Sequence, residues 1–135
     1  MPSGLRFISP STLSKPFGYS HVVELTGPGS MIFIAGQVPL DRDGKLVGPG
    51  DFRAQVTQVF ENLKAALAEV GAGFEHVVKT TNFLTDVSHR PILREARDRY
   101  LNAAAPPAST LIGVTALAFP EWLVEIEAVA MVPER

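Results

Sequence analysis

The stretch 122–132 constrains the fold most, because it reads as a β-strand that is apolar on both of its faces. Successive side chains of a strand point to opposite sides. One side carries Trp122, Val124, Ile126, Ala128 and Ala130, and the other carries Leu123, Glu125, Glu127, Val129 and Met131. The first set is expected to pack under helices. The second set is more apolar than a solvent-facing sheet surface normally is, so either another copy of the chain covers it or its apolar members are scattered surface residues.

Two segments have the periodicity of helices. Over 51–70 apolar residues recur every three or four positions, which draws one apolar stripe along an α-helix. Asp51 is suited to cap its N-terminus, and Gly71 is suited to end it. A second, weaker helix is expected over 91–102, with Pro91 in its first turn and a pair of prolines beyond its end.

Strands are expected before, between and after these helices. The residues up to Ser20 read as an irregular arm with at most one short strand. Glycine and proline between the next two apolar stretches indicate a hairpin. The expected strands are 21–25 and 31–35, which form that hairpin, and then 77–84, 109–115 and 122–132. The order strand, strand, helix, strand, helix, strand, strand predicts an α+β sheet with both helices packed on one face.

Composition limits the function more than it defines it. The 135 residues are expected to form one domain, 1–135, and 46% of them are hydrophobic. A net charge of -2 offers no field for phosphate backbones, so no nucleic-acid partner is expected. The chain has no cysteine and its three histidines are dispersed, so neither a disulfide nor a metal site is expected. Without a signal-like or membrane-spanning run, we expect a cytoplasmic protein with no membrane partner.

Glu125 and Glu127 lie on the same face of the last expected strand, the face that also carries Leu123, Val129 and Met131. Residues two apart on one face of a strand are separated by about 7 Å. If that face is covered, desolvation and mutual repulsion raise the pKa of at least one of the two carboxyl groups. A carboxylate tuned in this way can act as a general base or orient a water. The alternative is that both acids hydrogen-bond to the backbone or pair with Lys or Arg.

Other polar positions allow two interpretations each. Gly36 either lets a ligand approach the backbone closely or serves a turn. Arg90, Arg94 and Arg97 lie four and three residues apart on the second expected helix, so they share a face. That face is either solvated or binds an anion.

Five segments resemble the Rid (RidA/YjgF) family, and they occur in family order between residues 17 and 132. They are GYS at 18–20, IAGQVPLD at 34–41, VFENLK at 59–64, VKTTNFLTD at 78–86 and LVEIEAVA at 123–130. The resemblance implies a chorismate-mutase-like α+β fold and a homotrimer with three clefts between subunits. It also implies hydrolysis of reactive enamines and imines, such as 2-aminoacrylate, to keto acids and ammonia, with no cofactor and no metal.

The same resemblance implies roles for individual residues. Glu125 matches the family's glutamate that holds the attacking water. Tyr19 matches a cleft tyrosine, and Gly36 matches the glycine whose backbone approaches the ligand. Leu111 occupies the position whose backbone N–H meets the substrate carboxylate.

Two positions depart from the family archetype. Ser109 stands where the archetype has the arginine that grips the substrate carboxylate. A hydroxyl offers one neutral donor instead of a charged fork, which forfeits on the order of 1.5–3 kcal/mol of binding to an anion. Arg94 aligns with a cleft asparagine and is a candidate to restore the positive charge from another direction.

These residues fit three functions to different degrees. The leading one is a Rid-type C–N hydrolase that keeps Glu125 but prefers a different substrate, such as a neutral or bulkier enamine or imine. The alternative is a non-catalytic trimer whose clefts bind a small metabolite. RNA cleavage, reported for some relatives of the family, is disfavoured by the acidic charge balance and the absence of a basic stripe.

Overall fold

The structure is a computed structural model that describes residues 4–134, and it contains six strands and two α-helices. The strands are β1 (Gly4–Ile8), β2 (Val22–Thr26), β3 (Gly29–Gln37), β4 (Val77–Leu84), β5 (Ala108–Gly113) and β6 (Val124–Pro133). The helices are α1 (Phe52–Glu69) and α2 (Arg90–Tyr100), with short 3-10 turns at Phe74–His76 and Val87–His89. The expected α+β fold is confirmed, because both helices pack on one face of a mixed sheet.

Four of the strands form the main sheet in the order β3-β6-β4-β5. β4 and β5 are parallel, and the other two pairs are antiparallel. We call the side under the helices the helix face and the other side the open face. The helix face and the two helices enclose the core, whose buried members include Ile34, Val56, Phe60, Leu63, Leu84, Leu93 and Ile126.

Helix α1 follows the sequence closely. The side chain of Asp51 accepts a hydrogen bond from the amide of Ala54 at 3.1 Å, as an N-cap does. The helix ends at Glu69, and Gly71 takes a left-handed φ of 71° just beyond it. Helix α2 covers 90–100 rather than the expected 91–102, with Pro91 in its first turn.

The expected hairpin between 21–25 and 31–35 is wrong. β2 pairs with β1, and β3 pairs along its length with β6, so β1 and β2 form a separate two-stranded ribbon. The amide of Glu134 donates to the carbonyl of Pro28 at 3.1 Å, which holds the start of β3 beside the end of β6. Gly27, with a φ of 78°, bends the chain there. Turn residues indicate a bend, but they do not determine which strands pair with the segments on either side of it.

Two polar side chains of α1 fix the segment just before β6 and the segment just after β3. Gln55 is fully buried, donates to the carbonyl of Glu121 at 3.0 Å and accepts from the amide of Leu123 at 2.9 Å, just before β6. Asn62 donates to the carbonyl of Val38 at 3.0 Å, just after β3. Side-chain amides that bind backbone groups in this way hold a loop in one conformation.

Within residues 4–134 no helix is both long and apolar enough to cross a membrane. The same part of the chain has no group of three or more His, Cys, Asp or Glu side chains placed to hold a metal ion.

Candidate functional site

The carboxyl group of Glu125 lies directly over the backbone of Gly36. Glu125 is the second residue of β6, and Gly36 is close to the end of the neighbouring strand β3. A Cβ atom on Gly36 would overlap Oε2 of Glu125 and would stand 2.8 Å from its Cδ and 2.9 Å from its Cγ. The pairing of β3 with β6 changes register between Ile34 and Gln37, around this glycine. Gly36 therefore leaves the space that Glu125 occupies.

The carboxyl group of Glu125 has no hydrogen-bonding or cationic partner among the described residues. Burial of its carboxyl group raises its pKa, and the negative charge of Glu127 adds to the rise. The sequence predicts a rise for at least one of the two acids if the face is covered, and the direction for Glu125 agrees with it already in one copy of the chain. No hydrogen bond or cation among residues 4–134 contributes to the environment of Glu125, so the alternative of a neutralised pair does not hold for this residue. A carboxylate left in this state is available to a water or a substrate.

The open face carries an apolar area further along β3 and β6 from Glu125, and this area is largely uncovered in one copy of the chain. Phe33 of β3 is 76% exposed and pairs with Val129 of β6. Both residues line a shallow depression together with Lys79 and Glu127. Burial lowers the pKa of the Lys79 ammonium, and the charge of Glu127 opposes that change. The face therefore combines a large exposed apolar surface with a few charged groups.

Ser109 lies on the helix face, on the other side of the sheet. Its Oγ accepts hydrogen bonds from Oγ1 of Thr80 and from Nδ2 of Asn82, both at 3.1 Å. Both of these partners are buried. Leu111, two residues further along β5, points to the same side by strand alternation. The Ser109 hydroxyl is therefore anchored as an acceptor, while its proton remains able to donate.

Tyr19 is held close to the residues that lead into β5. The next residue, Ser20, donates from its amide to the carbonyl of Pro107 at 3.0 Å and from its hydroxyl to the carbonyl of Pro106 at 2.6 Å. The ring of Tyr19 packs edge-on against His21, with centroids 5.3 Å apart. Tyr19 therefore lies close to the start of β5.

The arginines of α2 have different environments. Arg94 is exposed and lines a small depression with Arg90 and Pro91, to which Glu125 does not contribute. Arg97 turns inward, with only 17% of its side chain exposed, and packs against Gly18. The sequence placed Arg97 on the same helix face as Arg94 but did not single it out. Its burial depends on the 18–20 loop, whose position no local pattern predicts.

Glu125 and Ser109 do not share a cleft within one copy of the chain. β4 separates β6 from β5, so the two strands are about 10 Å apart. Glu125 pairs with Phe83 and belongs to the open face, whereas Ser109 bonds to buried groups of the helix face. A substrate of a few heavy atoms cannot touch both residues across the sheet.

The fold and the site define a class of protein: a small α+β chain with two helices on one face of its sheet and a glutamate set against a glycine on the other. The family profile described as Endoribonuclease L-PSP matches residues 11–132. Protein DfrA of Myxococcus xanthus is 42% identical over 113 residues, which cover 84% of each chain.

Solved structures lead to the same family. The Rid-family protein YyfB of Yersinia pestis is 39% identical, with a TM-score of 0.88 over 95% of this chain and 98% of that chain. RidA of an Antarctic Psychrobacter species is 32% identical, with a TM-score of 0.71 over 88% of this chain and 92% of that chain. The chain belongs to the Rid (RidA/YjgF) family.

Proposed function

We propose that this protein hydrolyses a small enamine or imine to a keto compound and ammonia, with Glu125 as the general base. One observation carries the proposal. The Glu125 carboxyl group lies over Gly36, partly removed from water, with a raised pKa and no hydrogen-bond donor from the described residues. A carboxylate in such surroundings is a stronger base than a solvated one. Membership of the Rid family supports the same role, since the segment 123–130 matches the family's motif.

The proposed reaction starts from the imine tautomer of the substrate. Glu125 accepts a proton from a water as the water oxygen bonds to the C=N carbon, and the π electrons move to the nitrogen. The Glu125 carboxyl group returns this proton to the nitrogen. The carbinolamine hydroxyl then loses its proton to the leaving nitrogen, the C–N bond breaks and the C=O bond forms. The balance is one imine and one water to one ketone and one ammonia, so no oxidant or reductant is needed.

We propose that the reacting cleft lies between copies of the chain in a homotrimer. Glu125 and Ser109 are on opposite faces of one sheet, so a cleft that contains both must combine two copies. The exposed ring of Phe33 beside Val129 supports contact between copies on the open face. Such contact would remove more water from Glu125 and raise its pKa further.

The substrate preference is proposed to differ from that of the family archetype at Ser109. The hydroxyl is held by Thr80 and Asn82, so it can offer one neutral hydrogen bond from a fixed position. A guanidinium group at this position would offer charge and two parallel donors. We therefore expect substrate binding in the cleft to depend less on the side chain at position 109 of β5 than it does in the archetype.

The role of Glu125 is tested with 2-aminoacrylate generated enzymatically in the assay. The decay of the enamine and the release of ammonia are followed with wild type, Glu125→Gln and the matched control Glu127→Gln. Glu125→Gln should no longer accelerate the decay of the enamine, while light scattering should show the same oligomer mass as for wild type. Glu127→Gln should keep most of the wild-type acceleration. Equal rates for Glu125→Gln and wild type would show that Glu125 is not the base.

The variant Ser109→Arg tests the substrate preference in the same assay. It should act faster on 2-aminoacrylate than wild type does. If wild type already matches an arginine-bearing relative, Ser109 does not redirect the substrate. If neither form accelerates the decay of 2-aminoacrylate or of bulkier enamines, and a keto acid still binds saturably, the protein is a small-metabolite binding module instead.

A further inference from the structure

The ribbon formed by β1 and β2 contributes nothing to the core of the molecule. None of its residues is buried, and none belongs to the apolar cluster that the sheet and the helices enclose. The ribbon nevertheless has an apolar side, because residues directly opposite each other in paired strands share a face. That side carries Leu5 opposite Leu25 and Phe7 opposite Val23. An isolated two-stranded ribbon is at best marginally stable in water, so this one gains stability from any further strand that pairs with it.

The strand β3 has an unused edge. It pairs with β6 on one side, and no strand within residues 4–134 pairs with its second side. Two of its side chains on the open face, Met31 and Phe33, are 46% and 76% exposed. A long outer strand with exposed apolar side chains is a template on which another strand can add.

The anchoring of Ser20 keeps β2 away from β3 of its own chain. Ser20 donates from its amide and its hydroxyl to the carbonyls of Pro107 and Pro106, just before β5. β5 and β3 are the two outer strands of the sheet, three strand spacings or about 14 Å apart. The five residues of β2 extend over about 17 Å, so they lead from one edge of the sheet to the other instead of folding back along β3.

We propose that β2 of one copy of the chain pairs with the unused edge of β3 of a second copy, in the antiparallel orientation that is the commoner one. Leu25 of one copy then lies beside Met31 of the other. Val23 lies beside Phe33, so that the apolar side of the ribbon continues the open face. A register shifted by one residue would turn the apolar side of the ribbon away from this face.

The partner is a second copy because each copy carries both halves of the contact. The ribbon and the β3 edge of one chain cannot meet each other, but identical chains satisfy both when the exchange closes into a ring. Each copy then adds two strands to a neighbour's four-stranded sheet, and every β3 edge is covered.

The exchange bears on the cleft between copies, and to that extent it rests on the proposed function. In an antiparallel pairing the start of β2 lies beside the end of the other copy's β3. Tyr19, three residues before β2, is thereby brought towards Gly36 and Glu125 of a second copy. The ribbon exchange thus decides which copies share a cleft.

Engineered disulfides test the exchange, since the chain has no cysteine of its own. Chains carrying Leu25→Cys and chains carrying Met31→Cys receive tags of different mass, are refolded together and are oxidised gently. Directly opposite residues of paired strands have Cα atoms about 4.5–5.5 Å apart, which a disulfide spans. A disulfide between differently tagged chains is expected. Ser30→Cys, whose side chain points to the other side of β3, is the matched control and should crosslink to Leu25→Cys at least about tenfold less.

Hydrogen exchange of the unsubstituted protein gives a second measurement that no variant can disturb. The amides of β3 that point away from β6 should be protected in the assembled protein. After dilution to single copies they should exchange at least about tenfold faster.

Three results would overturn the inference. One is an internal disulfide in a chain that carries both Leu25→Cys and Met31→Cys, because β2 would then pair within its own chain. Another is the absence of a disulfide between tagged chains both for Met31→Cys and for Phe33→Cys, which tests a register two residues away. The third is rapid exchange of the outward amides of β3 in the assembled protein. Failure of the hydrolase proposal looks different, since Glu125→Gln would be as active as wild type while the tagged chains would still crosslink.

Discussion

The variant Gly36→Ala is expected to move the Glu125 carboxyl group while leaving the glutamate itself in place. The added Cβ would stand 2.8 Å from Cδ of Glu125, whereas ordinary contacts between carbon atoms are about 3.5–4.0 Å. The carboxyl carbon must therefore retreat by about 0.7–1.2 Å. The backbone φ of Gly36 is not positive, and the clashing atoms belong to a flexible side chain, so the strand itself can accept alanine.

We expect Gly36→Ala to lower the rate of hydrolysis and to leave the free energy of unfolding almost unchanged. A misplacement of about 1 Å in a reacting group lowers the rate by roughly 10²-fold, or about 2.7 kcal/mol of transition-state free energy. The unfolding free energy should change by less than about 1 kcal/mol, because the entropy gained from removing a glycine offsets the strain of moving Glu125. Ammonia release under initial-rate conditions and urea unfolding measure the two quantities.

Two further variants decide the interpretation. Gly4→Ala, where a Cβ meets nothing closer than 3.7 Å, is the control and should keep full activity. In the Glu125→Gln background, Gly36→Ala should add no further loss, because the group it displaces no longer acts. Wild-type activity in Gly36→Ala would refute the argument that contact with Gly36 sets the position of the base.

Three further results are expected. Glu127→Gln removes a negative charge that raises the pKa of Glu125, so the acidic limb of the pH–rate profile should move to lower pH. Folding raises the pKa of Glu125, so its contribution to stability is present below the unfolded-state pKa and is lost as pH rises through the folded-state pKa. Glu125→Gln should therefore resist urea better than wild type at pH 8. This advantage should disappear below about pH 4, where the carboxyl group is protonated in both the folded and the unfolded state. Gln55→Leu leaves the amide of Leu123 and the carbonyl of Glu121 unpaired and should cost about 2–4 kcal/mol in urea unfolding, whereas Gln58→Leu, which loses one side-chain bond to Asn62, should cost about 1 kcal/mol.

Local patterns predicted the elements that depend on local physics. The apolar stripe of α1 and its Asp51 cap required only the period of a helix and one side-chain oxygen. The alternation of β6 placed Ile126 in the core and Glu125 on the opposite side without any knowledge of neighbouring strands. The same alternation, with the proximity of Glu127, predicted a raised pKa for at least one of the two carboxyl groups but did not say which one.

The partners of these elements could not be predicted in the same way. The turn residues at Gly27 and Pro28 marked a bend, but β2 and β3 pair with strands that are distant in sequence from this bend. Gly36 had two interpretations until the register placed Glu125 over it. Arg97 looked like its exposed neighbour Arg94, because burial of one arginine on a helix depends on which loop reaches it.

The opposite faces of the sheet give a test of the shared cleft. Glu125 and Ser109 lie on opposite faces of one sheet, so in the proposed cleft Glu125 of one copy and Ser109 of another approach the same small molecule. Copies carrying Glu125→Gln and copies carrying Ser109→Phe, whose ring would occupy the space beside the lost hydroxyl, are each expected to be nearly inactive. Refolded together in equal amounts, they should form clefts in which both groups are intact, with a frequency of about one in four for random mixing. Ammonia release should therefore recover to about a quarter of the wild-type rate, and no recovery would mean that both groups act within one copy.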